Sequence, residues 1–229
     1  MSDLAILAVS YLGPEGFGND QTGLRAWPAP LDEAVQHGEL EPLHWSLVSA
    51  SDSSRFLRMD LMCRLGLMAA ELLDAGFDEM PEVQRERVAV FVETFAGSLD
   101  TDVRFLQTPR PSLFAYTLPS TVMGEICIRY RLKGPGLCLV SPNDSDGGAL
   151  VEAVDWLREG DVDACLCLGC EAVDREIAAM LPEHLRPQGW HAAALLVGKS
   201  SGARREHPFT PGSLAEICRK LCFKPKRAC

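Results

Sequence analysis

The sequence predicts an α/β protein, with a five-stranded, mostly parallel sheet covered by helices on both faces. Three observations carry this. Five short apolar runs, Leu4 to Leu12, Val88 to Phe95, Leu137 to Ser141, Asp163 to Gly169 and Ala192 to Val197, read as strands buried on both sides. Stretches of helical period lie between them, so strand and helix alternate through most of the chain. Gly13-Pro14, Gly76, Gly97, Gly134 and Gly160 punctuate the elements where a chain must turn.

Taken in order, Leu4 to Leu12 is a strand that Gly13-Pro14 ends. Residues 13–52 are rich in Gly and Pro and read as irregular covering structure with one short helix from Leu31 to His37. Ser53 or Ser54 is the expected cap of a long helix. Leu57, Leu61, Leu65, Met68 and Leu72 give it one apolar face, and Gly76 stops it. After the strand from Val88, residues 108–120 form a Pro-rich loop carrying Leu113, Phe114 and Tyr116. Pro119 suits the first turn of a helix reaching Leu132. Gly148 to Glu159 is the next helix, with Leu150, Val151, Val154 and Leu157 on one face. Residues 171–186 read as a helical connection, and Ser213 to Leu221 as a short tail helix.

A chain of 229 residues buries a core as one domain. Residues 1–198 form that domain, and residues 199–229 a basic tail. The formal net charge of −10 argues against nucleic-acid binding by the body. From Lys199 onward eight basic residues (Lys199, Arg204, Arg205, Arg219, Lys220, Lys224, Lys226, Arg227) face only Glu206 and Glu216, which reads as a solvated terminus. The acidic start Met1-Ser2-Asp3 does not suit a secretory leader, and no apolar run reaches membrane-spanning length. Nine scattered cysteines then read as free thiols of a reducing cytoplasm.

Few residues carry chemistry. Cys165 and Cys167 alternate with leucines on a strand, with no second Cys/His cluster, so they read as small buried side chains and no metal is expected. Asp144-Ser145-Asp146-Gly147 fails as a calcium loop, because Gly148 stands where an oxygen ligand belongs. Ser145 lies outside a G-x-S-x-G elbow. None of the five histidines sits in a catalytic pattern, and His191 reads as a core or edge residue at the start of the last strand.

An ordered set of segments points to a family. These are Arg55 to Gly76, Glu93 to Asp102, Tyr116-Thr117-Leu118-Pro119-Ser120, Gly124 to Pro135, Leu157 to Asp163 and Ala192 to Val197. Together they resemble the N-terminal half of β-ketoacyl synthases, condensing enzymes of the thiolase superfamily. The resemblance implies a single thiolase-like half-fold. In the family a nucleophilic Cys heads the helix after the third strand. Counting forward from Gly134-Pro135 and back from Gly160-Asp161 both place that position at Asn143, which cannot form an acyl thioester. The two catalytic histidines of the family belong to the second half of its fold, and on this reading the chain stops before it.

A shortened ketosynthase without its Cys is similar to the chain-length-factor-like subunits of bacterial aryl polyene clusters. The resemblance therefore implies a non-catalytic subunit in polyene or fatty-acid-type elongation. It would heterodimerise with a full-length β-ketoacyl-ACP synthase, meet the acyl carrier protein only indirectly, and need no cofactor. It assigns the strand Leu137, Cys138, Leu139, Val140 and Ser141 to pairing across a two-fold axis, and Leu113, Phe114, Tyr116, Thr117, Val122 and Met123 to the end of an acyl tunnel. Two enzyme readings compete with it. One is a malonyl-ACP decarboxylase polarising its substrate through Asn143, and the other is a thioester hydrolase using Ser141 or Ser145.

Overall fold

The structure is a computed structural model and describes residues 4–28, 31–37, 39–40, 43–51, 54–141, 147–186, 189–199 and 213–223. Its strands are β1 (Leu4–Gly13), β2 (Gly16–Asn19), β3 (Gly23–Arg25), β4 (Val88–Thr94), β5 (Gly136–Val140), β6 (Ala164–Glu171) and β7 (His191–Lys199). Its helices are α1 (Leu31–Gln36), α2 (Leu61–Leu72), α3 (Glu82–Arg85), α4 (Leu99–Gln107), α5 (Pro111–Phe114), α6 (Thr121–Tyr130), α7 (Gly148–Glu159), α8 (Arg175–Ala179) and α9 (Leu214–Cys222).

Among the described residues the strands make one sheet in the order β3-β2-β1-β7-β6-β4-β5. The α/β class holds, with two corrections. The sheet has seven strands rather than five, because β2 and β3 lie inside the stretch read as irregular. A Cβ on Gly18 would sit 2.1 Å from the Gly23 carbonyl oxygen, so this hairpin closes only around glycine. Glycine hides the apolar alternation that marks a strand. The sheet is also mixed rather than mostly parallel. Only β4–β5 and β4–β6 are parallel, while β1–β2, β2–β3, β1–β7 and β6–β7 are antiparallel. The continuous apolarity of β1 and β7 reports burial on both faces and carries no direction.

Two cores flank the sheet. On one face α2 and α6 cover Ala8, Leu12, Val90, Val92, Leu166, Leu168 and Ala194. On the other, α7 and α9 cover Ile6, Val9, Ala89, Phe91, Cys165, Cys167, Leu195 and Val197. The Phe91 ring meets Trp156 of α7 edge-on at 5.4 Å.

Helix α2 corrects a second expectation. It begins at Leu61, not near Ser54, and its cap is Asp60, whose carboxylate accepts from the Cys63 N–H at 2.9 Å. Leu57, in phase with the helix by spacing alone, lies on a preceding 3₁₀ turn and is 69% exposed. The buried Arg64 holds that turn. Its guanidinium donates to the carbonyls of Leu40, Leu57 and Met59 at 2.7, 2.9 and 3.1 Å, and burial lowers its pKa.

The 171–186 connection is helical only at α8 and in a 3₁₀ turn at Glu183–Leu185. Helix α7 matches its expected bounds and ends at Gly160 with φ +85°. Within the segment read as a solvated tail, α9 instead buries Leu214, Ile217, Cys218 and Cys222 against the sheet. Its outward Arg219 pairs with Glu15 at 2.6 Å.

Candidate functional site

Three features concern function: a sheet edge, a crevice at the strand ends, and a cavity beneath the 108–120 loop. The edge is β5. Among the described residues it has one strand neighbour, β4, in a parallel register that pairs Val90 with Gly136 and Thr94 with Val140. The Val90 N–H donates to Pro135 O at 3.0 Å, and the Ser141 N–H donates to Thr94 O at 2.9 Å. Because backbone groups alternate along a strand, residues 135, 137, 139 and 141 face β4. Gly136, Cys138 and Val140 turn their N–H and C=O outward. Leu137 and Leu139 pack on the core under α7, and Cys138 on the other core, where burial pushes its thiol up. Val140 is 60% exposed. The result is a short strand edge with apolar side chains beside it.

The crevice lies where β4, β5 and β6 end. It is a narrow, open crevice between Glu93, Thr94, Ser141, Glu171, His191 and Leu214. Two buried carboxylates line it. Glu93, the penultimate residue of β4, accepts the Ala149 N–H in the first turn of α7 at 3.0 Å. Glu171, closing β6, accepts the backbone N–H groups of Phe95 and Ala96. His191 stands opposite Glu171 in the β6–β7 register and is half-buried at the start of an interior strand. Cys165 and Cys167 are fully buried, as expected, under α7. Asn143 and Ser145, the candidate positions beside this crevice in sequence, lie outside the described residues.

The cavity, open to solvent on one side, is lined by Leu57, Met59, Asp60, Asp100, Thr101, Arg104, Leu113 and Tyr116, among others. Leu113 and Tyr116 of the assigned tunnel set therefore meet here. Phe114 turns outward and packs its ring on Phe105 at 5.6 Å. The Thr117 carbonyl receives the Ser98 hydroxyl at 2.6 Å. Val122 is fully buried on the first core, against Gly66, and Met123 packs its sulfur beside Gly136 under β5. The structure thus splits the six residues between a cavity wall, an outer surface and the core.

A buried hub fixes this region, and sequence reading missed it. Glu125 of α6 is 5% exposed and receives both arms of the Arg55 guanidinium, at 2.9 and 3.0 Å. It also accepts from the Tyr116 hydroxyl at 3.2 Å. Burial, then the Glu125 charge, pushes the Tyr116 phenol up to about 12. The same carboxylate raises the Arg55 pKa. A second, shallow pocket lies at this hub, between Arg55, Met59, Glu125 and Arg129. The available signal was a lone Glu in an apolar helix, and Glu93 carried the same mark at the end of an apolar strand.

Comparison with known proteins decides the family. The model of the β-ketoacyl synthase N-terminal domain matches residues 45–183, more than half of the chain. The chain belongs to the β-ketoacyl synthase N-terminal-domain family. Its sheet is the thiolase-like fold that the resemblance implies.

Several solved β-ketoacyl synthase structures share that fold. The ishigamide ketosynthase/chain length factor is 20% identical, with TM-score 0.60, over 90% of this chain and 64% of its own. A ketosynthase (ApeO) in complex with its chain length factor (ApeC) from Xenorhabdus doucetiae is 16% identical, with TM-score 0.60, over 97% and 91%. A β-ketoacyl synthase from Burkholderia phymatum STM815 is 16% identical, with TM-score 0.58, over 89% and 60%. The chain therefore spans about 60% of two of these relatives and most of the third. No curated protein matches it in sequence. Among the described residues no helix is long and apolar enough to cross a membrane.

Proposed function

We propose that this chain is a non-catalytic, chain-length-factor-like subunit that pairs through the edge of β5 with a full-length β-ketoacyl-ACP synthase. In that complex its 108–120 loop would shape the partner's acyl tunnel in polyene or fatty-acid-type elongation, with the acyl carrier protein engaged through the partner. The observation that carries this is the β5 edge, with outward-facing backbone groups at Gly136, Cys138 and Val140 and an exposed Val140 side chain. An unprotected edge is an aggregation hazard that a partner strand removes. The likeness in fold to one chain of a ketosynthase–chain length factor structure, over 97% of this chain and 91% of that one, supports the same reading.

The loss of chemistry rests on Asn143 at the family's nucleophile position. An amide cannot carry an acyl group through a thioester. A heterodimer is favoured over a homodimer, because two copies lacking the nucleophile would elongate nothing. The test is co-expression with the cognate ketosynthase. Co-purification, and loss or shortening of product when this chain is omitted, is the expected result. A monomer beside an unaffected ketosynthase would sink the proposal, and release of carbon dioxide from malonyl carrier protein by the chain alone would replace it with the decarboxylase.

A further inference from the structure

The segment from Arg110 to Leu118 borders the cavity as a strap. Its backbone hydrogen bonds are local: Leu113 and Phe114 donate to Arg110 O, Ala115 to Pro111 O, Tyr116 to Leu113 O and Thr117 to Phe114 O. Side chains tie it to the rest of the chain. Thr121 Oγ1 donates to Ala115 O at 3.1 Å and Ser98 Oγ to Thr117 O at 2.6 Å, both near the C-terminal end of the strap. The Phe114 ring rests on Phe105 of α4, at the surface. The Tyr116 hydroxyl is different, because it donates to the buried Glu125. That carboxylate also receives both arms of Arg55, so it is fixed in place and cannot follow the strap outward. A hydrogen bond to an ionised acceptor is stronger than one between neutral groups. Leu113 and Tyr116 of the strap line the cavity with Met59 and Asp60. Cys63 lies buried beside Asp60, near enough to Tyr116 for the two to interact electrostatically.

We infer that the Arg55–Glu125–Tyr116 hub is a latch that holds the 110–118 strap closed against the cavity and sets where Leu113 and Tyr116 stand. The strap opens without unfolding the sheet, because no strand shares its backbone hydrogen bonds. Glu125 does not line the cavity and acts on it through Tyr116, so it is a positioning residue. Its use as the positioner of a tunnel wall rests on the function proposed above. The latch itself is internal to this chain, so its test reads the chain alone.

The experiment compares wild type, Tyr116→Phe and Glu125→Gln by amide exchange and by alkylation of Cys63, with the amides of β4 and α7 as internal reference. Tyr116→Phe keeps the ring and removes the hydroxyl. Amides 113–117 should exchange roughly 10- to 100-fold faster, the range that a hydrogen bond to a charged group supports. Cys63 should be alkylated faster by a similar factor, while β4 and α7 exchange as in wild type. A general loss of stability would instead move all of them. Glu125→Gln should quicken the same amides and the same thiol; where it also lowers global stability, Tyr116→Phe decides. The inference is overturned if Tyr116→Phe exchanges and labels as wild type does, or if its effect spreads evenly over the sheet. It is also overturned if the strap of wild type already exchanges as an open chain. In complex with the ketosynthase, both variants should shift product lengths in the same direction. A profile unmoved by either would sink the use of the strap as a tunnel wall, and the exchange result would still decide the latch.

Discussion

The phase of the β5 hydrogen bonds makes a sharp prediction for Cys138→Pro. The Cys138 N–H points away from β4, toward the open edge, so removing it takes nothing from the chain's own ladder. Proline is tolerated on edge strands for that reason. The chain's stability should fall by about 1 kcal/mol, a midpoint shift of roughly 2–4 °C for this size, through the altered packing of one half-buried side chain. Across the interface the substitution removes one backbone hydrogen bond, about 1 kcal/mol net. It also strands the partner's buried carbonyl at a cost of about 1–3 kcal/mol. Together these weaken the complex roughly 30- to 1,000-fold, at about 1.4 kcal/mol per tenfold.

Leu139→Pro is the control. Its N–H faces β4, so it should destabilise the chain directly, by roughly 2–4 kcal/mol. Biolayer interferometry against the immobilised ketosynthase gives Kd, and melting of each variant alone gives stability. An unchanged Kd for Cys138→Pro refutes pairing at this edge. Equal damage to the fold by both substitutions refutes the assignment of outward and inward residues.

Three further outcomes follow from the packing. A Cβ on Gly66 would lie 2.4 Å from Val122 Cγ2 and 3.0 Å from Leu168 Cδ2, so Gly66→Ala should cost about 1–3 kcal/mol in urea melts. Part of that loss should return in the double variant with Val122→Ala, and strict additivity would contradict the contact. Burial raises the pKa of Asp60, so the folded state binds a proton more tightly there than the unfolded chain does. This contribution favours the fold in acid and is lost as pH rises from about 3.9 through the raised value. Asp60→Asn, which keeps the oxygen that caps Cys63, should flatten that part of the stability–pH curve, and an unchanged curve would count against it. Among the eight described cysteines only Cys127 and Cys138 are partly exposed. Of these eight, alkylation followed by mass spectrometry should label the two first, and partner binding should protect Cys138 selectively.

The features legible in the sequence were those written within one element. Helix α7 with its Gly160 stop, and the apolar runs of β4 to β7, were read at nearly their observed bounds. Apart from the glycine-rich β2–β3 hairpin, the missed features join distant residues. Glu93 reaches a helix start 56 positions away, and Arg55 reaches Glu125 across 70. Spacing holds no record of such pairs; only a charge inside an apolar run hints at them. Leu57 shows the opposite failure, since its position in phase with Leu61 and Leu65 was coincidental and the helix waited for the Asp60 cap. Strand direction left no mark either, because burial on both faces looks the same whichever way a strand runs.

The contact between α9 and the N-terminal hairpin bears on how the chain is made. The Cys222 thiol reaches the Gly18 carbonyl across 204 positions of sequence, and β7 inserts between β1 and β6. Neither the middle of the sheet nor the face under α9 can close until residues 191–222 have left the ribosome. For most of synthesis β1 therefore waits without its central neighbour, and its apolar surface stays open. Such distant pairings fold slowly and expose nascent chains to aggregation. Translation speed and chaperone supply should thus govern the yield of soluble chain as strongly as the stability of the finished fold.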